Sequence, residues 1–221
     1  MKNREIIEKT TRFVQETLKG AEGGHDWFHT HRVLTNARLI AKSENADELI
    51  ISLGALLHDI ADAKFNNGDE SLGPKMAHDF LASINVDEDV IDHVVYIIDN
   101  ISYKNSLFED DHSKIKSKEL KIIQDADRLD AIGAIGIARA FNYGGFKNRE
   151  LYNPEIAPNL NLTKEEYKKS NSPTINHFYE KLLLLKDKMN TETGKRLAQE
   201  RHKFMMDYLD RFYSEWTGKP L

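Results

Sequence analysis

Four ionisable side chains, His29, His58, Asp59 and Asp127, fall where the apolar spacing of the chain calls for core residues. His29 shares a helical face with Val33, Ala37 and Ile40. Ile51, Ala55, His58 and Asp62 form a second stripe, and the His58-Asp59 pair closes the apolar run LGALL. On a third stripe Asp127 lies with Leu120, Ile123, Ala131 and Ala134, and Asp130 follows on nearly the same face. A lone imidazole in a core is satisfied by one or two hydrogen bonds. A buried carboxylate is costlier and calls for an arginine partner, protonation or a metal ion. Two imidazoles and two carboxylates from three helices can surround one divalent ion and leave positions open for water and substrate, which suits catalysis.

The chain has no cysteine, so thiolate ligands and thiolate nucleophiles are excluded. The donor set then suits Mn, Mg, Co, Ni, Fe or Zn, in octahedral rather than closed tetrahedral geometry. Two alternatives stand beside this reading. His31 rivals His29, and the Asp125, Asp127 and Asp130 triplet can form a solvated acidic face with Arg128 in surface salt bridges. Its apolar neighbours make solvent a less comfortable setting for Asp127 than for Asp125. His25 and Asp26 either hydrogen-bond the first candidate ligand or cap its helix.

These residues need helices to position them, and apolar spacing is helical almost throughout, with no alternating strand pair around a tight turn. The expected fold is all-α. Helices are predicted over 4–18, over 26–43 behind an Asp26 cap, and from Asp47 through Leu57 toward Asp62. A short helix with Pro74 in its first turn ends near Ser83, another spans 87–100, and a long one spans 117–141. The stretch 142–173 reads as a long loop whose Tyr143, Phe146 and Tyr152 either stack on a nucleobase or pack beneath it. Helices over 174–189 and 191–216 close the chain, and the expected organisation is one domain, 1–221, with 174–216 as a helical extension.

With 31 Lys and Arg against 36 Asp and Glu, the net charge of −5 gives no general attraction to a phosphate backbone, and nucleic acid is not an expected partner. A charged N-terminal stretch and the lack of any run of about 18 apolar residues exclude a membrane span from the reading, and a cytoplasmic location is expected.

The stretches GHDWFHTHRV, LGALLHDIADAKF and QDADRLDAIGAIGIARAF, in this order, resemble the HD-domain phosphohydrolases, a family named for its His, His-Asp and Asp metal ligands. The length and the helix MNTETGKRLAQERHKFM are similar to a bacterial single-domain subfamily. The resemblance implies an HD-domain helical bundle with additional C-terminal helices, holding one divalent ion on His29, His58, Asp59 and Asp127. Asp127 is chosen over Asp125 and Asp130 by the pattern Ala-Asp-Arg-Leu, and His29 over His31 by its gap to Val33.

Asp62 looks like the acidic residue that orients water in related nucleotidases, which implies a general-base role, and Asp130 is a candidate to fix a ligand or water. Phosphates need cations: Lys64 and Arg32 are the first candidates, Lys104 the next, and Lys195, Arg196, Arg201 and Lys203 could close over a polyphosphate. The candidate catalytic set is thus Asp62, Lys64 and Asp130, and the substrate-binding set Arg32, Lys64 and Lys104. The implied substrate is a small phosphorylated molecule, a nucleotide, and the implied activity is nucleoside triphosphate pyrophosphohydrolysis. Alternatives are a nucleoside monophosphate phosphatase, an alarmone-type nucleotide hydrolase, or a non-catalytic regulator that binds metal and nucleotide.

Overall fold

A computed structural model describes residues 2–21, 24–61, 69, 71–101, 117–161, 163 and 171–219. Among them all regular structure is helical, and no helix is long and apolar enough to cross a membrane. The chain divides into two compact units, Met1–Asp127 and Arg128–Leu221.

The first unit is organised around a helix with no polar face. Helices α1 (Asn3–Thr17), α2 (Trp27–Glu44) and α5 (Glu88–Asn100) pack on α3 (Glu48–Leu57), and α4 (Leu72–Ser83) packs on α5. In α3 every residue from Leu49 to Leu57 except Ile50 is buried, as expected for a helix apolar all round. Gly54 lets another helix come close: a Cβ there would lie 2.6 Å from Ile123 Cδ1 of α6 (Lys118–Asp130). The Asp47 side chain starts α3 by accepting from the Leu49 and Ile50 amides at 2.8 and 3.0 Å. Asp26 starts α2 in the same way, accepting from the His29 amide at 2.8 Å.

The expected continuation of α3 toward Asp62 is not observed. The helix stops at Leu57, and Ile60 donates to the Leu57 carbonyl in a tight turn. The His58 side chain reaches back to the Ala55 carbonyl, the group that a continuing helix would offer to the Asp59 amide.

The long helix expected over 117–141 is also two helices. After Asp130, Ile132 is extended and Gly133 takes φ +77°, where an L side chain is strained, so the chain turns before α7 (Gly133–Phe146) begins. In the second unit, α8 (Thr174–Glu180) leads into a 3₁₀ helix, Leu182–Lys188, rather than one continuous helix, and both pack near α9 or α7. The last helix, α9 (Glu192–Thr217), is capped by Thr191 Oγ1 on the Gly194 amide at 3.0 Å. Rings join these elements: Phe178 lies 6.0 Å from both Phe141 and Tyr208. Tyr152 lies 5.0 to 5.9 Å from Trp216, Tyr213 and Phe212, so this loop aromatic packs on α9.

Candidate metal centre

The turn that ends α3 brings His58 and Asp59 to the first turn of α2, where His29 is buried. His29 Nε2 lies 3.3 Å from His58 Nε2, 3.6 Å from Asp59 Oδ2 and 3.5 Å from Asp127 Oδ1, and His58 Nε2 lies 3.6 Å from Asp59 Oδ2. Donors at about 2.1 Å from one ion stand about 3.0 Å apart at an octahedral right angle and about 3.4 Å apart in a tetrahedron. The observed separations are near those values, and His29, His58 and Asp127 form one group able to hold a metal ion.

The protonation pattern suits a cation as well. A carbonyl can only accept, so the 2.9 Å contact between His58 Nδ1 and the Ala55 carbonyl puts the proton on Nδ1 of the neutral ring. His58 Nε2 then presents a lone pair to the centre. His25 Nδ1 donates to Asp59 Oδ2 at 2.7 Å, and His25, His29 and Asp59 form a second metal-capable group that shares His29 with the first. Burial opposes ionisation of Asp59, yet the neighbouring His58 and hydrogen bonds from His25 and His29 together hold its carboxyl well below the usual carboxylate range. Asp59 is therefore an anion among imidazoles, the state a cation site requires.

Helix α6 contradicts the alternative of a solvated acidic face. Asp125 and Asp130 are 0% and 1% exposed, and Arg128 is buried, while Asp127 keeps 35% of its side-chain surface. Solvent-facing and core-facing roles are thus the reverse of those read for Asp125 and Asp127. The reason is that Asp125 lies on the stripe of Ile122 and Leu129, both fully buried, and from Ile122 to Asp130 only Asp127 is not buried. Asp130 Oδ2 accepts from Arg139 Nη1 at 2.6 Å, which makes it an ion-pair partner. His31 is exposed beside Trp27, so of the two histidines only His29 joins the cluster.

Arg32 is half-buried on α2. Asp62, Lys64 and Lys104 lie outside the described residues. In α9, Lys195 pairs with Glu192 at 2.7 Å and Arg196 with Glu200 at 3.1 Å, ordinary helix-surface pairs. Arg201 instead donates to the Leu129 carbonyl. The sequence reading missed Arg139, and it offered Arg201 only as one of four cations that could close over a polyphosphate. The nearest signal was the Gly133 break, which turns α7 so that Arg139 can reach Asp130.

A family profile described as the HD domain matches residues 27–132. Over 99% of this chain and 97% of its own length, the uncharacterized YpgQ protein of Bacillus subtilis is 36% identical. The chain belongs to the HD-domain superfamily. An HD-superfamily hydrolase from Bacillus thuringiensis is 41% identical in its crystal structure, with TM-score 0.79 over 99% of this chain and 100% of that one. A crystal structure of Bacillus subtilis YpgQ in complex with ADP matches with 35% identity and TM-score 0.76 over 97% of each chain. HD domains bind divalent metals, and the chain shares with its hydrolase relatives the family's all-helical fold and carries His and Asp groups that could hold one.

Proposed function

We propose that this HD-domain chain is a metal-dependent phosphohydrolase acting on nucleotides, releasing pyrophosphate from nucleoside triphosphates. The observation that carries the reading is the gathering of donor atoms around His29 Nε2, with His58 Nε2, Asp127 Oδ1 and Asp59 Oδ2 at 3.3, 3.5 and 3.6 Å from it. These four residues would hold one divalent ion. When bound, such an ion supplies positive charge to a phosphoryl oxygen and acidifies a water molecule. That YpgQ was crystallised with ADP supports a nucleotide as the ligand.

The residues around the ion have separate tasks. His58 keeps its Nε2 lone pair available because its other nitrogen is committed to the Ala55 carbonyl. His25 holds Asp59 Oδ2 and so fixes the carboxylate that faces both imidazoles. Asp62, three residues beyond Asp59, is assigned the removal of the water proton, and Lys64, Arg32 and Lys104 the charge of the phosphates. Asp130, paired with Arg139, is withdrawn from the catalytic set.

The test is a screen for phosphate and pyrophosphate release across nucleoside mono-, di- and triphosphates and alarmones. Metal-stripped protein is supplied in turn with Mn, Mg, Co, Ni and Zn. Pyrophosphate from triphosphates, dependent on added metal, is expected. Orthophosphate from monophosphates alone would replace the activity with a phosphomonoesterase, and binding without turnover of any nucleotide would replace it with a regulator. Asp62→Asn should retain metal and lower kcat by roughly 10²- to 10⁴-fold.

A further inference from the structure

The C-terminal turn of α6, immediately after Asp127, is held by arginines from elsewhere in the chain. Arg201 of α9 donates from Nη1 to the Leu129 carbonyl. Arg139 of α7 donates from Nη1 to Asp130 Oδ2 at 2.6 Å, and Asp130 is almost fully buried. Arg128 donates outward to the Lys188 carbonyl at the end of the 3₁₀ helix. Gly133 makes the first contact possible, since a Cβ there would lie 3.0 Å from both Cβ and Cγ of Arg201. The same glycine, at φ +77°, ends α6. One residue therefore both stops the ligand-bearing helix and clears the path for the side chain that grips its end.

A helix end frays because its last carbonyls lack intrahelical donors, and it carries the negative end of the helix dipole. Here the turn tightens, with Ala131 donating to the Arg128 carbonyl at 3.1 Å and Ile132 to the Leu129 carbonyl at 3.3 Å. Arg201 adds a charged donor to that same Leu129 carbonyl. Asp127 precedes this turn by two residues, so unwinding it would swing the Asp127 carboxylate away from His29.

We propose that Arg201 and Arg139 are positioning residues for Asp127, which set the metal affinity of the site by holding the helix turn that directly follows this residue. The inference rests on the functional reading above, in which Asp127 is a metal ligand. Loss of an outer partner of a metal ligand typically weakens metal binding about 10- to 100-fold.

The experiment titrates metal-stripped, full-length protein with Mn²⁺ by calorimetry, beside circular dichroism and steady-state kinetics. Arg201→Met should raise the Mn²⁺ Kd by about 10- to 100-fold and lower kcat at limiting metal, with excess Mn²⁺ restoring kcat and nucleotide KM nearly unchanged. Arg201→Lys, which keeps a cationic donor, should recover much of the affinity. Should Arg201→Met fail to fold, Arg139→Gln is read in its place and should weaken Mn²⁺ in the same direction. Phe178→Leu, which loosens the second unit at a ring packed near Phe141 and Tyr208, should leave the Mn²⁺ Kd at the wild-type value.

A folded Arg201→Met with wild-type Kd overturns the proposal, as does Phe178→Leu raising Kd equally. Mn²⁺ binding that survives Asp127→Ala unchanged would overturn the functional reading itself, a result distinct from loss of the Arg201 effect alone.

Discussion

Imidazoles occur in two contrasting surroundings in this protein. At the end of α3, His29 and His58 are buried against the carboxylates of Asp59 and Asp127, with His25 behind Asp59. In α8, His177 is enclosed near Lys181 and Arg149; burial first, and then those two cations, push its pKa down to about 3. The first group gathers imidazole nitrogens and negative charge at one point, a setting that favours a cation. The second excludes a cation and keeps its ring neutral. Burial is common to both, so the charge that accompanies a histidine, rather than burial, separates a candidate ligand from a packing residue.

The largest expected effect comes from removing a carboxylate from the first group. Asp127→Ala should abolish stoichiometric Mn²⁺ binding and lower turnover by more than about 100-fold, beyond the range typical of outer-shell changes, while the circular dichroism stays helical. Asp125→Ala should do the opposite, keeping the metal and losing about 1 to 3 kcal/mol in denaturant unfolding, because Asp125 is fully buried and polar. If metal analysis and unfolding rank these variants the other way, α6 presents a different carboxylate to the site.

A smaller effect is expected one layer out. His25→Gln retains a donor of similar reach to Asp59 Oδ2, whereas His25→Ala removes it, so the alanine variant should raise the Mn²⁺ Kd by about 10-fold or more and the glutamine variant by less. Equal affinities for both variants and wild type would show that the His25 contact does nothing for the metal ligands.

The smallest effect belongs to the second group and is read as stability against pH. The folded pKa of His177, about 3, is below its ordinary value of 6.5, so the unfolded chain takes up the proton first on acidification. The contribution is fully present above pH 6.5 and is lost as pH falls toward about 3, with a loss of roughly 3 kcal/mol by pH 4.5. Urea unfolding of wild type against His177→Phe should show a flatter pH dependence for the variant over this window. Parallel curves would mean that His177 is protonated in the folded protein.

Much of the candidate site was legible in sequence because its polar groups fall where helical periodicity demands apolar ones. His29 on the stripe of Val33, Ala37 and Ile40, and His58-Asp59 after LGALL, are such violations, and the structure brings these residues together. The misreading of α6 has an equally physical origin. A stripe argument assumes one buried face, whereas α6 from Ile122 to Asp130 is enclosed on nearly all sides, and the most accessible carboxylate there is then the one beside His29. The 117–141 helix was overextended because Ala131, Ala134 and Ile137 continue the apolar spacing through a glycine whose positive φ interrupts the chain.

By itself, the sequence determined the helical class, the apolar α3 that must be central to its unit, the family, and which imidazoles and carboxylates are out of place among core residues. Those properties follow from local spacing and side-chain chemistry. Only the tertiary structure decided which donor atoms approach one another, that His25 supports Asp59, that Asp130 pairs with Arg139, and that Arg201 closes the end of α6 over Gly133. These contacts join residues far apart in the chain, and no periodicity encodes which side chain arrives from a distant helix.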